Sequence, residues 1–351
     1  MSGRPEKAGR RRPLFRILAL LAGLGLALGA GEVAVRLAGV TAEARRHFRP
    51  GIYAPDGELG WRLLPGYQGA HMEHDAAVPT STNPEGFRGP AWDAARAGAA
   101  LRILALGDSC TFGRGVADDE TWPAQLERRL RARGLDAAVW NAGVPGYDTA
   151  QQAALFRRLR ERVRPHVVLV MWLPNDVLER SVELIPRTQV MDGQLVEDVE
   201  KYLEWRGRID HTGLHRSALY RFLNTRLKLP NRRRKDWRVE LTPESLTYSL
   251  EPLRQIAAGS AALGARTALV TLPRQEEVED PATSIEHHAQ MAAAAAALGF
   301  ETLDLAAAWR AGGPRAGRYL TGDTVHPTGA GYAEVAEALA TLEVFTPPTS
   351  R

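Results

Sequence analysis

Residues 101–111 read Leu101-Arg102-Ile103-Leu104-Ala105-Leu106-Gly107-Asp108-Ser109-Cys110-Thr111. The apolar part, Leu101–Leu106, has the length of a strand, and its near-continuous apolarity asks for burial on both faces. The same signature recurs at Ala137–Trp140, Val167–Trp172, Arg266–Leu272 and Glu301–Leu305. Amphipathic stretches lie between and around these runs, at Glu120–Arg133, Thr149–Val163, Pro243–Leu263 and Pro281–Leu298, and Gly329–Leu342 closes the series. Apolar strands alternating with helices predict a five-stranded parallel sheet covered on both faces. The expected fold is therefore α/β, a doubly wound, flavodoxin-like three-layer sandwich over residues 98–345. The stretch 177–240 fits no β-α unit and reads as an insertion; 346–351 is a tail.

Upstream, 41–97 carries turn signals such as Tyr53-Ala54-Pro55-Asp56-Gly57 and Leu64-Pro65-Gly66 around short extended pieces. It reads as a stalk and a small β-rich preface. Residues 1–40 read as a basic leader and a membrane helix. An uncharged run, Ile17–Gly31, lies between Arg16 and Glu32. Its 15 residues would cover about 22 Å as a helix, short of a ~30 Å hydrocarbon core, with Arg16 able to snorkel. A signal anchor is the reading adopted and a cleaved signal peptide the alternative. The arginines stay in the cytoplasm, so the body is expected outside it, in the periplasm or at the cell surface, or secreted if the leader is cleaved.

The 351 residues carry a net charge of +4, with 44% hydrophobic and 25% charged side chains, an ordinary globular composition. Residues 1–31 hold six of the 45 basic side chains and one of the 41 acidic ones, which leaves 39 against 40 for the rest. The positive charge thus belongs to the leader, and no nucleic-acid partner is expected. One cysteine, Cys110, excludes an intramolecular disulfide and a cysteine-built zinc site.

Four polar elements stand at predicted strand ends or before the last helix. Ser109 follows the first strand, where ligands bind in open α/β sheets, so its hydroxyl is a candidate nucleophile and its N–H can face an oxyanion. The second strand ends in Asn141-Ala142-Gly143-Val144-Pro145-Gly146, whose Gly146 N–H is unobstructed by any side chain. The third ends in Trp172-Leu173-Pro174-Asn175-Asp176, whose Asn175 amide could also donate to an oxyanion. In Gly322-Asp323-Thr324-Val325-His326-Pro327, an imidazole can serve as base while a carboxylate three residues earlier orients it. Alone, each reads as a turn or cap; in order, they converge on one sheet edge.

This ordered set resembles the SGNH, or GDSL-type, hydrolase superfamily over residues 101–342. Gly86-Phe87-Arg88-Gly89 and Thr111-Phe112-Gly113-Arg114-Gly115-Val116 add a likeness to its membrane-anchored bacterial members. The resemblance implies Ser109 as nucleophile, His326 as base and Asp323 as its orienting carboxylate. It implies an oxyanion hole of Ser109, Gly146 and Asn175, with Gly107, Asp108 and Asp176 in support, and no cofactor or metal. One departure is Leu173, where the family's third block carries glycine; it is expected to add bulk near the site. Cys110 is expected to be a small buried residue beneath the turn.

The function expected is a serine esterase, O-acetylesterase or lipase-like, acting through an acyl-enzyme on an extracytoplasmic ester of a glycan or lipid. The alternatives are a polysaccharide O-acyltransferase and a non-catalytic glycan-binding module. His71, His74, His287 and His288 are expected on solvated surfaces, and the basic run Arg221–Arg238 on a solvated insertion.

Overall fold

The computed structural model describes residues 11–38, 48–49, 51–73, 76–200, 202–203, 217–227 and 241–346. The chain divides into two units, Met1–Arg45 with Glu200–Arg233 and Arg46–Val199 with Arg234–Arg351.

Along the chain the first element is α1 (Arg11–Leu37). The preface follows as β1 (Phe48–Arg49), β2 (Tyr53–Asp56), β3 (Gly60–Leu63), β4 (Gln68–Glu73) and β5 (Ala76–Ser81), in two antiparallel sheets, β2–β3 and β1–β4–β5. After a single turn, α2 (Ala94–Ala97), come β6 (Leu101–Gly107), α3 (Ser109–Phe112), α4 (Trp122–Ala132), β7 (Ala137–Gly143), α5 (Thr149–Val163) and β8 (Val167–Trp172). Next are α6 (Asn175–Leu178), α7 (Ser181–Leu184), a hairpin of β9 (Gln189–Met191) and β10 (Gln194–Val196), and α8 (Ala218–Leu227). The remainder is α9 (Pro243–Ala262), β11 (Arg266–Thr271), α10 (Gln275–Glu279), α11 (Glu286–Ala296), β12 (Glu301–Asp304), α12 (Leu305–Ala311) and α13 (Gly329–Leu339).

The five expected strands form one parallel sheet in the order β12-β11-β8-β6-β7. Counted by appearance this is 5-4-3-1-2, the flavodoxin-like order, with its switch point between β6 and β8. Alternation along β6 explains the two covered faces. Leu104 and Leu106 join Phe156, Leu253 and Ile256 on the side of α5 and α9, whereas Ile103 and Ala105 join Leu126, Val335 and Leu339 on the side of α4 and α13.

Three differences from the sequence reading have local causes. The first and second strands run on to Gly107 and Gly143, because pairing of β6 with β7 continues through Asn141 and both glycines. The helix expected from Pro281 begins at Glu286, and α10 and α12 fill stretches too short to show a helical period. The stretch 177–240 divides: 177–199 lies in the second unit, where Gly193 accepts from the Tyr53 N–H at 3.0 Å, and 200–233 in the first.

In the first unit α1 does not stop at Gly31. Its span is Phe15–Leu37, 23 residues, within which an 18-residue stretch has a mean hydropathy of 2.0. Glu32 is accommodated because Arg36, one turn on, donates to it at 2.7 Å. The stalk residues 39–47, the basic stretch 228–240 and the tail 347–351 lie outside the described residues.

Candidate active site

Gly107 closes β6 and Ser109 opens the one-turn helix α3 directly above the sheet edge. A Cβ at Gly107 would stand 2.1 Å from Thr111 Oγ1, so the tight strand-to-helix turn needs glycine there. Asp108 caps the turn, its Oδ1 accepting from the Cys110 N–H at 2.8 Å. Gly113, at φ +83°, then ends α3.

Ser109 Oγ lies 2.8 Å from His326 Nε2, across 217 residues of sequence. His326 Nδ1 lies 2.8 Å from Asp323 Oδ2. The tautomer follows from the carboxylate: Nδ1–H donates to Asp323, and Nε2 is left to accept the serine hydroxyl proton. Asp323 Oδ1 meanwhile accepts from the backbone N–H of Val325 at 2.8 Å and of His326 at 3.1 Å. Burial by itself would raise the Asp323 pKa. The His326 hydrogen bond and charge, with these two N–H donors, overcome it and hold the carboxyl well below the usual carboxylate range.

The loop carrying Asp323 and His326 is itself braced. Gln275 N–H donates to Thr324 O at 2.8 Å, Leu320 N–H to His326 O at 3.0 Å, and Tyr319 Oη to Pro273 O at 2.7 Å. Cys110 is fully buried and its thiol lies 3.8 Å from Val325 O, facing this loop. Burial, then the carboxylates of Asp108 and Asp323, push the Cys110 pKa well up, so the group is a thiol and no second nucleophile.

Gly146 and Asn175 follow β7 and β8, the two strands that flank β6. Asn175 Nδ2 gives one N–H to Asp108 Oδ2 at 3.1 Å, which ties the amide to the residue before Ser109. Gly146 has φ +83°, a conformation that favours glycine, and a Cβ there would stand 3.2 Å from Trp61 Cζ2. Asp108 and Asp176 are both buried, and burial pushes both carboxyls up, that of Asp176 further, with Asp108 adding to it. Asp176 Oδ2 accepts from Thr149 Oγ1 at 2.8 Å and so fastens the start of α5 beside α6.

Two expectations are corrected. Leu173 is 1% exposed and packs in the core face shared with Cys110 and Met171, and its φ is not positive, so its side chain fills core space and its backbone needs no glycine. His71, His287 and His288 are buried, not solvated, while His74 lies outside the described residues. His287 Nε2 and His288 Nε2 lie 3.0 and 3.2 Å from the two oxygens of buried Glu277, which also accepts from the Arg274 N–H at 2.7 Å and its guanidinium at 3.1 Å.

Three residues were missed as site supports. Asn141 joins the first two blocks, its Nδ2 donating to Thr111 O at 2.9 Å while its Oδ1 accepts from Gly143 N–H at 3.0 Å. Arg88 of the preface is buried and its Nε donates to Asp118 at 2.7 Å. Its Nη1 donates to Phe112 O at 3.1 Å and to Gly113 O, and its Nη2 to Val116 O at 2.5 Å. The first two carbonyls end the helix that Ser109 begins and the third lies in the loop after it, and a guanidinium is the side chain that can satisfy several at once. Trp61 Nε1 donates to Pro145 O at 3.1 Å, and Tyr147 Oη donates to Trp61 O, so the Gly146 loop hangs on β3. The only signals were the Gly86–Gly89 motif for Arg88 and an unremarkable strand tryptophan for Trp61.

A model of the GDSL-like lipase/acylhydrolase family matches residues 105–334. An arylesterase of Vibrio mimicus is 31% identical over 80 residues, which are 23% of this chain and 40% of that enzyme. The chain thus matches less than half the length of that relative. Among solved structures, a lipase/acylhydrolase from Enterococcus faecalis is 17% identical, covering 72% of this chain and 100% of its own, with a TM-score of 0.42. A catalytic mutant of an acetylxylan esterase from Geobacillus stearothermophilus is 19% identical, covering 73% and 99%, also with a TM-score of 0.42. With its serine turn after the first strand and its Asp-x-x-His loop before the last helix, and with the family model matching well over half of its length, the chain belongs to the GDSL-like lipase/acylhydrolase family.

Proposed function

We propose that the chain is a serine esterase that works through an acyl-enzyme. The observation that carries this is the run of two 2.8 Å contacts from Ser109 Oγ through His326 to Asp323. A serine hydroxyl is a weak nucleophile at neutral pH; His326 Nε2 takes its proton as Oγ attacks the ester carbonyl carbon. Asp323 keeps the ring in the required tautomer and stabilises the imidazolium. The carbonyl oxygen becomes an oxyanion, held by the N–H groups of Ser109 and Gly146 and by Asn175 Nδ2, each donor worth about 2.7–4 kcal/mol in a comparable site. Collapse expels the alcohol, which takes the proton from His326. Water, deprotonated by the same imidazole, then releases the acid and restores Ser109.

The proposal extends to place. The α1 span of Phe15–Leu37 supports a membrane anchor, and the arginines at its N-terminal side favour a cytoplasmic start and an extracytoplasmic body. The relatives' acyl esters support a short acyl ester of a glycan or lipid as substrate. Treatment with a fluorophosphonate followed by peptide mapping should give an adduct on Ser109, and Ser109→Ala should abolish p-nitrophenyl acetate hydrolysis. An unlabelled Ser109, or full activity in the variant, overturns the reading. Transfer of acetyl to an added glycan without net hydrolysis would overturn hydrolysis in favour of acyl transfer.

A further inference from the structure

Large apolar side chains left exposed among the described residues are concentrated in the first unit. Ten belong to α1, from Phe15 to Leu37, and three more, Leu203, Tyr220 and Leu223, to the insertion; only Leu178 and Val182 lie elsewhere. An anchor helix accounts for the first ten. Nothing in the esterase chemistry accounts for Leu203, Tyr220 and Leu223.

The insertion is fastened to the end of α1. Glu32 accepts from Ser217 Oγ at 2.7 Å and from the N–H groups of Ala218 and Leu219 at 2.9 and 2.8 Å. A carboxylate on the first N–H groups of a helix satisfies donors that no intrahelical carbonyl reaches, and its charge suits that end. Ser217 caps the same turn, accepting from the Tyr220 N–H at 3.0 Å. At Gly31 the two segments come close enough that an added Cβ would stand 3.0 Å from Leu219.

Depth follows from this attachment. A 23-residue apolar helix rises about 34 Å, enough to cross a hydrocarbon core. Glu32 lies five residues before Leu37, within about 8 Å of the end, where the headgroups begin. With α1 as the anchor, the start of α8 would therefore lie within about 8 Å of the headgroup boundary. On α8, Tyr220 and Leu223 stand three residues apart on one face, 43% and 37% exposed. The sequence from Arg221 to Arg238 carries eight basic residues and one acid, Asp236. Apolar and aromatic side chains beside a basic run suit the surface of an anionic bilayer, where each cation contributes about 1 kcal/mol.

We propose that the insertion around α8 is a second membrane contact, lying in the interface of an anionic bilayer and tied to the anchor through Glu32. This rests on the reading of α1 as an anchor. The test uses the full chain in phosphatidylglycerol nanodiscs, with an environment-sensitive label at Leu24→Cys or Leu223→Cys; Cys110, the native cysteine, is buried. Lipids spin-labelled deep in the acyl chain should quench the label at 24, and lipids labelled near the headgroup should quench that at 223. Replacing phosphatidylglycerol by phosphatidylcholine should weaken quenching at 223 and leave that at 24 unchanged. Quenching at 24 with none at 223 overturns the proposal and leaves the anchor standing, whereas none at 24 overturns the anchor itself. A label at 223 shielded from aqueous iodide yet untouched by lipid quenchers would assign the face to a protein and overturn the proposal as well.

Discussion

Asp323 shows how much one side chain does at this site. It accepts from the His326 ring and from two backbone N–H groups, so it sets both the tautomer of the base and the shape of the loop. Asp323→Asn keeps the shape but presents an amide that can donate to Nδ1 and select the other tautomer; kcat should fall by about 10⁴-fold, with KM little changed. Asn175→Ala removes a donor that would act only as the oxyanion forms, so ester hydrolysis should lose about 10²–10³-fold in kcat with KM nearly unaltered. Leu173 makes the opposite point. Because its side chain fills core space, Leu173→Ala should cost about 2–5 kcal/mol in urea unfolding and leave KM for small esters unchanged. An improved KM would mean that the side chain does crowd the substrate.

At the scale of elements, the preface supports the site from outside the sheet. Arg88 ties together the end of α3 and the loop that follows it, and Trp61 holds the Gly146 loop. A displacement of about 1 Å at either loop can cost up to ~10²-fold in rate. Arg88→Lys keeps the charge but not the fork, and should lower kcat with KM retained, while added guanidinium should restore part of the activity of Arg88→Ala. A variant that loses binding and rate together, with no response to guanidinium, would reduce Arg88 to a general structural residue. The motif Gly86-Phe87-Arg88-Gly89 was legible as a motif. Its use was not, since Arg88 and Phe112 are 24 residues apart and no periodicity links them.

For the whole molecule, several carboxyls are held low by partners that folding brings near. In Glu277, burial, which would raise the pKa, is overcome by His287, His288 and Arg274; in Asp56, the hydrogen bond from Arg158 leads. With Asp323 these groups have folded pKa values below their unfolded ones. The stability they add is present above the unfolded carboxyl range near pH 4 and is lost as pH falls through their folded values. Asp108 and Asp176, raised by burial, act with the opposite sign. Glu277→Gln should therefore flatten the loss of stability between about pH 4 and 2 in urea midpoints. A variant with the same slope as the parent would show that Glu277 is not among the groups responsible.

The sequence by itself determined the five strands, their parallel pairing with helices on both faces, and the four polar blocks at one edge. Apolar runs of strand length can be buried in few other ways, and nucleophile, base and donors each need a particular residue type beside a strand end or helix start. Only the tertiary structure decided that Leu173 turns into the core, that His287 and His288 face a buried carboxylate, and that Arg88, Trp61 and Glu32 reach across long stretches of chain. Those outcomes depend on which surfaces meet once the sheet has formed, and a side chain's partner in space leaves no trace in its neighbours along the chain.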